Sequence, residues 1–352
     1  MIEHTFGNLL QAPADALVNT VNTVGVMGKG VALQFRRAFP ANYDAYAEAC
    51  KRGEVTTGRM FVTEVADQIG GPRLIINFPT KQHWRNPSRL TDIAEGLRDL
   101  RRVLVEHDVE SVAVPPLGCG LGGLDWKDVR PLIEAALDDL PMRILLYPPQ
   151  GAPDPAQMRD QRERKALTPA RASLIVLLAT YLEPGARASL LEVQKLVYFL
   201  QESSERLSLT FSRQKYGPYA DAIRHVLKDL EGQYITGFGD GTNVVGVALL
   251  DGAHQQAVGV LAEHLGTQTR IARVLRLIEG LSDPYSLELL ATTHWVATQD
   301  GAADLAEVTR LVQEWSARKG RIFTDRHIEV AWCRLHEQGF LRIRDSTAHA
   351  TN

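Results

Sequence analysis

Lys81 is the residue in this sequence best suited to act as a nucleophile. It follows an apolar stretch, residues 74–78, that is typical of a buried strand, and it precedes the aromatic pair His83 and Trp84. A lysine held partly out of water has a lowered pKa, because burial disfavours the charged amine. An uncharged amine can attack an electrophilic carbon, whereas an unperturbed lysine, with a pKa of about 10.4, is almost fully protonated at neutral pH. The alternative interpretation is a solvated surface lysine.

Two glycine-rich loops each follow an apolar strand. One contains Gly28, Lys29 and Gly30, and the other is GCGLGG, residues 118–123. In a parallel sheet, loops in this position lie at the edge where ligands bind. Glycine lets the main chain approach a phosphate and point several N–H groups at it, and a helix that begins at Val31 would add the positive end of its dipole. The two loops together predict a diphosphate site; the alternative is that the glycines only form tight turns.

Other nucleotide-binding motifs and metal sites fit the sequence less well. No GxGxxG follows the first strand, and no GxxxxGK motif precedes a serine or threonine. The cysteines, Cys50, Cys119 and Cys333, are far apart and include no CxxC pair, which argues against a disulfide framework and a structural zinc. We therefore expect neither a metal nor a cofactor.

The elements that must position these residues alternate between strand and helix. The expected strands are residues 17–19, 60–65, 74–78, 112–114 and 143–147, and the expected helices begin at Val31, near residue 91 (with Thr91 as the N-cap) and at Trp126. This alternation predicts an α/β fold with a mostly parallel mixed sheet and helices on both of its faces.

A second region follows a break in this order. Residues 148–155, PPQGAPDP, are typical of a linker, and beyond them the chain is richer in helix. Apolar residues recur at helical spacing over 190–200, and residues 287–298 are also expected to be helical. Residues 323–341 are predicted to form a helix followed by a short strand, so the second region could take winged-helix form.

The bulk composition fits a protein of two globular domains. The chain has 352 residues, of which 45% are hydrophobic and 23% charged, so each half can build a core. The net charge of −3 gives no global sign of nucleic-acid binding, although a local site remains compatible with it. The sequence starts without the features of a signal peptide and has no stretch long and apolar enough to cross a bilayer. We therefore expect a cytoplasmic protein without a membrane partner.

The N-terminal region, about residues 1–150, resembles a macrodomain. The matching stretches, in the family's order and spacing, are residues 14–19 (ADALVN), 27–32 (MGKGVA) and 116–121 (PLGCGL). Within that family, the sequence is more similar to the branch that contains human terminal ADP-ribose glycohydrolase and the DarG-type bacterial antitoxins, and residues 77–85 (NFPTKQHWR) are the specific mark of the DarG type. Residues 195–201 (KLVYFLQ) and 215–220 (KYGPYA) resemble the C-terminal domain of the same antitoxins.

The resemblance implies a three-layer α/β/α fold, ADP-ribose as ligand, and single-stranded DNA with an ADP-ribosylated base as substrate. It implies that Lys81 attacks the anomeric carbon of the distal ribose, expels the base and leaves a lysine adduct that water releases. It also implies a partner, an ADP-ribosyltransferase toxin of the DarT type, which the C-terminal domain blocks. The expected domains are a macrodomain over residues 1–153, a linker over 154–168 and a toxin-binding helical domain over 169–352.

The residues expected to contact ADP-ribose lie on the loops and strand ends named above. They are Asn8, Leu9, Asn19, Asn22, Met27, Gly28, Lys29, Gly30, Val31, Thr80, Gly118, Cys119, Gly120, Leu121, Gly122 and Tyr147. Two of these positions depart from the family's pattern. Gly122 stands where the human enzyme has an aspartate that helps to resolve the adduct, with Asp125 three residues later. Asn8 stands where many macrodomains have an aspartate that holds the adenine amino group.

Several of the candidate residues have a second interpretation. Asn22 either touches the distal ribose or stabilises a turn. Tyr147 either stacks on adenine or belongs to the core. Residues 83–85 either contact DNA or pack as an ordinary surface. Cys119 has no evident base partner and is interpreted as a small residue that fits the loop.

The C-terminal half contains no evident catalytic constellation. Its isolated histidines, such as His294, are better explained as core or solvated residues than as metal ligands. Four acidic positions either mimic nucleic-acid phosphates toward a basic toxin or form a solvated face: Asp221, Asp229, Glu231 and Asp240. For the whole chain, the alternative function is a non-catalytic ADP-ribose-binding module fused to a winged-helix regulator that binds DNA.

Overall fold

The chain folds into two compact units, Met1–Arg164 and Lys165–Asn352, in a computed structural model. The structure describes residues 1–65, 71–151, 160–162, 164, 166–241, 244 and 246–341. The division falls inside the stretch predicted as a linker, residues 154–168. Much of that stretch, residues 154–159, 163 and 165, lies outside the described residues.

The first unit is built on a six-stranded sheet. Its elements are β1 (Ile2–His4), a 3₁₀ turn (Leu9–Gln11), β2 (Ala16–Asn22), α1 (Gly30–Ala38), α2 (Pro40–Lys51), β3 (Phe61–Glu64), β4 (Leu74–Lys81), α3 (Leu90–Glu106), β5 (Ser111–Val114), α4 (Trp126–Leu137) and β6 (Arg143–Leu146). The strand order is β1-β6-β5-β2-β4-β3, and every neighbouring pair is parallel except β3 with β4. The sheet is therefore mostly parallel and mixed, as predicted.

Helices cover both faces of this sheet. Successive strand residues point to opposite faces, so Val18 of β2 packs with α3 and α4, while its neighbour Leu17 packs with α1. Because both faces are buried, the central strands are nearly continuous apolar runs rather than alternating ones. The first unit has the three-layer α/β/α architecture that was expected.

The end of β4 and the start of α3 are among the element boundaries that differ from the sequence prediction. β4 runs on to Lys81, beyond the expected end at residue 78, because its polar end still pairs with β2. The prediction of Thr91 as an N-cap is wrong, since α3 begins at Leu90. Arg89 holds the extended conformation of the cap, with φ of −121° and ψ of 140°.

The second unit is mainly helical. Its elements are α5 (Pro169–Tyr181), α6 (Leu190–Glu202), β7 (Ser212–Gln214), β8 (Gly217–Tyr219), α7 (Ala222–Leu230), β9 (Ile235–Thr236), β10 (Ala248–Leu249), α8 (Ala253–Leu261), α9 (Leu265–Ile278), α10 (Pro284–Thr298), α11 (Leu305–Glu314), α12 (Ala317–Ile322) and α13 (Asp325–Glu337). The strands form two small antiparallel pairs, β7 with β8 and β9 with β10. Helix α10 is buried on most of its surface and packs against α6 and α13.

The short strand expected before residue 341 is not present in the described chain. Gly339, with φ of +68°, ends α13 in the left-handed conformation, and the N–H of Phe340 donates to the Leu335 carbonyl. Phe340 then packs edge-on against Phe199, with ring centroids 5.5 Å apart. Residues 342–352 lie outside the described chain. Over the ranges that the structure describes, no helix is both long and apolar enough to span a bilayer.

Candidate active site

The carboxyl ends of five parallel strands bring the predicted site residues to one edge of the sheet. β2 is the central strand of this edge, with β5 on one side and β4 on the other. The first glycine-rich loop follows β2, the second follows β5, and Lys81 is the last residue of β4. Asn8 follows β1 and Tyr147 follows β6, at the outer end of the same edge. Ligands of open α/β sheets bind at such an edge.

The Lys81 side chain reaches across this edge to the second glycine-rich loop. Its Nζ donates a hydrogen bond to the main-chain carbonyl of Leu121 at 2.8 Å. The side chain is partly buried, and this burial lowers the pKa of the Lys81 amine because the charged form is disfavoured away from water. The amine therefore lies at the predicted phosphate loop, with a larger uncharged fraction than a solvated lysine has.

The first loop is organised by the side chain of Asn22. Its Oδ1 accepts from the N–H groups of Val24 at 3.0 Å and Val26 at 3.3 Å, and its Nδ2 donates to the Val26 carbonyl at 2.6 Å. These bonds support the interpretation of Asn22 as a turn stabiliser, and its contact with ribose stays a prediction. Gly25 has φ of +77°, and a Cβ there would lie 3.4 Å from the Cys50 Cβ, so this turn favours glycine.

The end of the first loop places a helix N-terminus at the edge. Met27 is buried beneath the loop, while Lys29 is exposed as the N-cap of α1. The helix begins at Gly30, one residue before the predicted Val31. It has no side-chain cap from Lys29 and no acidic residue in its first turn. The positive end of the helix dipole thus faces the edge without a nearby carboxylate in that turn, as an anion site requires.

The second loop is hydrogen-bonded to Ser88, which precedes α3. The Ser88 N–H donates to the Gly122 carbonyl at 2.9 Å, and Leu124 N–H donates to the Gly118 carbonyl at 3.1 Å. A Cβ at position 122 would collide with Ser88 Oγ and with the Gly118 carbonyl oxygen, so this loop conformation leaves no room for a side chain there. Leu121, by contrast, is 64% exposed. Ser88 was not predicted from the sequence, because nothing local marks it as a neighbour of this loop.

Two further side chains of this loop region have roles that the structure defines. Burial is the larger cause, and the nearby Asp125 carboxylate the smaller cause, of a pKa of the Cys119 thiol raised to about 11. The thiol is therefore protonated at neutral pH and is not an activated nucleophile. The Asp125 Oδ1 accepts from the Lys127 N–H at 3.0 Å as the N-cap of α4, and its Oδ2 lies 3.1 Å from Lys127 Nζ. Asp125 is thus occupied as a helix cap.

Asn8, Leu9 and Tyr147, at the β1 and β6 end of the edge, mainly contact the protein itself. Asn8 Oδ1 accepts from the Leu10 N–H at 3.0 Å and so caps the 3₁₀ turn. Leu9 and Tyr147 both belong to the core cluster on the α1 side of the sheet, and Tyr147 is 7% exposed. This supports the core interpretation of Tyr147. Contacts of these residues with a ligand stay predictions.

Asn19 and Thr80 also point into the protein. Asn19 lies inside β2, fully buried, and its Nδ2 donates to Asn77 Oδ1 at 2.9 Å. Asn77 in turn donates to Asn42 Oδ1 at 2.6 Å, which forms a buried amide network that the sequence did not reveal. Thr80 Oγ1 donates to the Val21 carbonyl at 3.3 Å. Asn19 and Thr80 therefore support the strands, and their contact with ADP-ribose stays a prediction.

An exposed aromatic group follows Lys81. Trp84 is 47% exposed, and the Arg85 guanidinium lies over its ring, 4.5 Å from the centroid. The His83 ring lies 5.2 Å from the Trp84 ring. Exposed aromatic rings with neighbouring cations are the groups on which proteins stack unpaired bases.

In the second unit, residues 195–201 contact residues 215–220. These are the two stretches that resemble the C-terminal domain of the DarG-type antitoxins. Lys195 is buried and donates to the Pro218 carbonyl at 2.6 Å, while Gln194 exchanges two hydrogen bonds with the main chain of Ala220. Burial lowers the pKa of His294 to about 4, so it is a neutral core histidine, as expected.

The four acidic positions of the second unit do not form one exposed face. Glu231 is buried and accepts from the N–H groups of Gly237 and Phe238. Asp229 pairs with Arg171 at 2.6 Å. Mimicry of phosphates by these four residues together is therefore not supported, because Glu231 is committed to the fold.

Comparison with known proteins agrees with this geometry. Residues 18–133 match the model of the Macro domain family. The chain is 46% identical to "DNA ADP-ribosyl glycohydrolase" of Thermus aquaticus, over 97% of this chain and 95% of that protein. It is 45% identical to the protein of the same name from Mycobacterium tuberculosis, over 95% of this chain and 99% of the relative.

A third relative matches a smaller part of the chain. It is the "DNA ADP-ribosyl transferase-DNA ADP-ribosyl glycohydrolase fusion protein" of Thermosipho africanus, which is 35% identical over 41% of this chain and 40% of its own length. The first two relatives are similar over nearly their whole length and the whole length of this chain. The chain therefore belongs to the DNA ADP-ribosyl glycohydrolase family, the DarG type, and its first unit is a macrodomain.

Proposed function

We propose that this protein removes ADP-ribose from modified bases in single-stranded DNA, with Lys81 as the nucleophile. The observation that carries the proposal is the position of the Lys81 amine, which is partly buried and bonded to Leu121 in the glycine-rich loop after β5. The names of the full-length relatives give the reaction class and the DNA substrate. ADP-ribose is the ligand that the two loops and the N-terminus of α1 would hold.

The reaction then proceeds in two displacements at the anomeric carbon of the distal ribose. The lone pair of the uncharged Lys81 amine forms a bond to this carbon, and the base departs with the electron pair of the broken glycosidic bond and takes up a proton. Water then releases ADP-ribose from the lysine and restores the amine. The main-chain N–H groups of the two loops would hold the diphosphate and fix the sugar beside the amine.

The test is release of ADP-ribose from an oligonucleotide that a DarT-type toxin has modified. Lys81→Ala removes the amine, and Lys81→Arg keeps the positive charge but cannot supply a lone pair. We expect both variants to lose at least about 10³-fold in rate, as enzymes do without their nucleophile. Lys51→Ala is the matched control, because Lys51 is exposed on α2 and pairs only with Glu48 among the described side chains.

A second measurement separates chemistry from binding. Reduction with borohydride during turnover should leave ADP-ribose attached to the peptide that contains Lys81. The lysine glycosylamine opens its ribose ring to give an imine, and hydride addition to the C=N bond of this imine gives a stable secondary amine. Full activity in Lys81→Ala would overturn the proposal. Tight ADP-ribose binding without turnover on any modified oligonucleotide would favour a non-catalytic ADP-ribose reader instead.

We further propose that the second unit binds an ADP-ribosyltransferase toxin of the DarT type. The relative in which transferase and glycohydrolase are fused supports a functional pairing of the two activities. The experiment uses the full chain with Lys81→Ala, so that removal of ADP-ribose does not mask inhibition. If this variant still prevents the toxin from modifying single-stranded DNA, neutralisation occurs by binding; an uninhibited toxin would contradict the proposal.

A further inference from the structure

The parallel pairing of β2 with β4 is interrupted just before Lys81. Val21 pairs with Pro79, but the next residue of β2, Asn22, pairs with Lys81, so Thr80 is an extra residue in β4. Such a bulge bends the strand and changes the direction of the side chains that follow it. The direction of Lys81 therefore depends on how the end of β2 is held.

On both sides of Lys81, hydrogen bonds join the chain to β2 or to the residue that follows it. On the preceding side, Thr80 Oγ1 donates to the Val21 carbonyl at 3.3 Å. On the following side, the Gln82 carbonyl accepts from both the N–H of Thr23, at 3.2 Å, and its Oγ1, at 2.8 Å. Lys81 is thus the residue between two attachments, and Asn22 is the residue opposite it.

A tyrosine on α2 holds Asn22 from inside the protein. The Tyr46 hydroxyl donates to the Asn22 main-chain carbonyl at 2.5 Å and lies 3.4 Å from its Oδ1. Tyr46 is fully buried and packs in a small core cluster with Val21 and Met27. The same hydroxyl also interacts with the main chain of Gly25 in the first loop and with the Cys50 thiol. Its contact closest to Lys81 is the one with Asn22, the residue paired with Lys81.

We propose that Tyr46 is a positioning residue for the reaction at Lys81. By holding Asn22 at the bulge, it keeps the Lys81 amine at the Leu121 carbonyl and partly out of water. The proposal rests on the proposed function, in which Lys81 is the nucleophile. Loss of the Tyr46 hydroxyl would let the strand end relax, so that the amine moves toward solvent and is protonated more fully at neutral pH.

The test compares Tyr46→Phe with Tyr43→Phe. Tyr43 lies on the same helix but is only partly buried, with the Arg36 guanidinium over its ring at 4.2 Å. In Tyr46→Phe we expect kcat for ADP-ribose release to fall about 10-fold or more, the KM to stay within about twofold, and the pH midpoint of the rate to rise. Tyr43→Phe should match the wild type in all three.

Chemical labelling of the Lys81 amine tests the positioning role of Tyr46 without a measurement of enzyme activity. Competitive acetylation with acetic anhydride at a series of pH values, read by mass spectrometry, gives the titration of Lys81 beside that of exposed Lys51. We expect Lys81 to titrate at a lower pH in the wild type than in Tyr46→Phe. An unchanged Lys81 titration in Tyr46→Phe would overturn the positioning role, whereas an active Lys81→Ala would overturn the proposed function.

A second variant covers the case in which Tyr46→Phe does not fold. Thr23→Val removes the other side-chain attachment, that of Thr23 Oγ1 to the Gln82 carbonyl, at a more accessible position. Like Tyr46→Phe, Thr23→Val should make the Lys81 amine titrate at a higher pH than in the wild type. If the titration does not move, the strand end does not control the amine and the proposal is wrong.

Discussion

Lys81 and Leu121 are joined by a hydrogen bond of 2.8 Å between the lysine Nζ and the leucine carbonyl. The bond spans the end of β2, because Lys81 ends β4 and Leu121 lies in the loop after β5. An uncharged amine that donates one N–H to this carbonyl keeps its lone pair free and fixes its direction. The hydrogen bond therefore fixes Lys81, the proposed nucleophile, to the second glycine-rich loop.

The rate of ADP-ribose release should depend on the ionisation of Lys81. Burial lowers the pKa of this amine, so the active, uncharged form accumulates as pH rises through a value below the usual one of about 10.4. We expect the single-turnover rate to increase with pH and then level off. A profile that is flat from about pH 6 to 10 would contradict a lysine nucleophile with this titration.

Gly122→Ala should disrupt the second loop, whereas Gly120→Ala should not. A methyl group at position 122 collides with Ser88 Oγ and the Gly118 carbonyl oxygen, but at position 120 no atom lies within 4 Å of it. Isothermal titration with ADP-ribose should show affinity about 10-fold weaker or more for Gly122→Ala, since the loss of a charge-assisted phosphate contact costs about 1.5 kcal/mol or more. A wild-type affinity in Gly122→Ala would mean that this loop does not hold the ligand.

Gly96→Ala should destabilise the first unit although it replaces a glycine inside a helix. Such a change normally stabilises a helix by up to about 1 kcal/mol. Here the added Cβ would overlap the Phe78 ring, because α3 packs closely on β4. We expect a net loss of about 1–3 kcal/mol in urea unfolding. Gly259→Ala in α8, where no atom lies within 4 Å of the new Cβ, is the control and should be neutral or stabilising.

The second unit should lose stability in mild acid because of His294. The folded pKa of about 4 lies below the ordinary value of about 6.5, so between these values the unfolded chain binds a proton that the folded chain does not. This contribution is complete above about pH 6.5 and is lost as pH falls toward about 4, with about 2 kcal/mol lost at about pH 5.

The variant His294→Gln isolates this effect. Urea unfolding is compared at about pH 7.5 and pH 5, and the difference between the two pH values should be about 2 kcal/mol smaller in the variant than in the wild type. The absolute stability of His294→Gln can be lower, because the hydrogen bond between Tyr198 and His294, 2.8 Å long, is changed. An identical pH dependence in both proteins would show that His294 titrates normally.

Local patterns in the sequence were enough to predict the main elements of the first unit and the edge where its chemistry lies. The helix at Trp126–Leu137 follows a capping Asp125 and has apolar residues at helical spacing, and both signals are local. The apolar runs of β4 and β5 predicted strands, and parallel pairing carries the loop after each of these strands to the same edge. Lys81 could therefore be associated with the glycine-rich loops before any contact between them was known.

Only the tertiary structure decided which of the residues at that edge are available to a ligand. Asn22 organises its own loop, Tyr147 enters the core, and Ser88 lies against Gly122. The bulge before Lys81 and the bond from the Tyr46 hydroxyl to Asn22 likewise join residues of different elements. The physical reason is that each of these roles is set by a partner atom from a distant part of the chain, whereas strand and helix patterns arise from neighbouring residues.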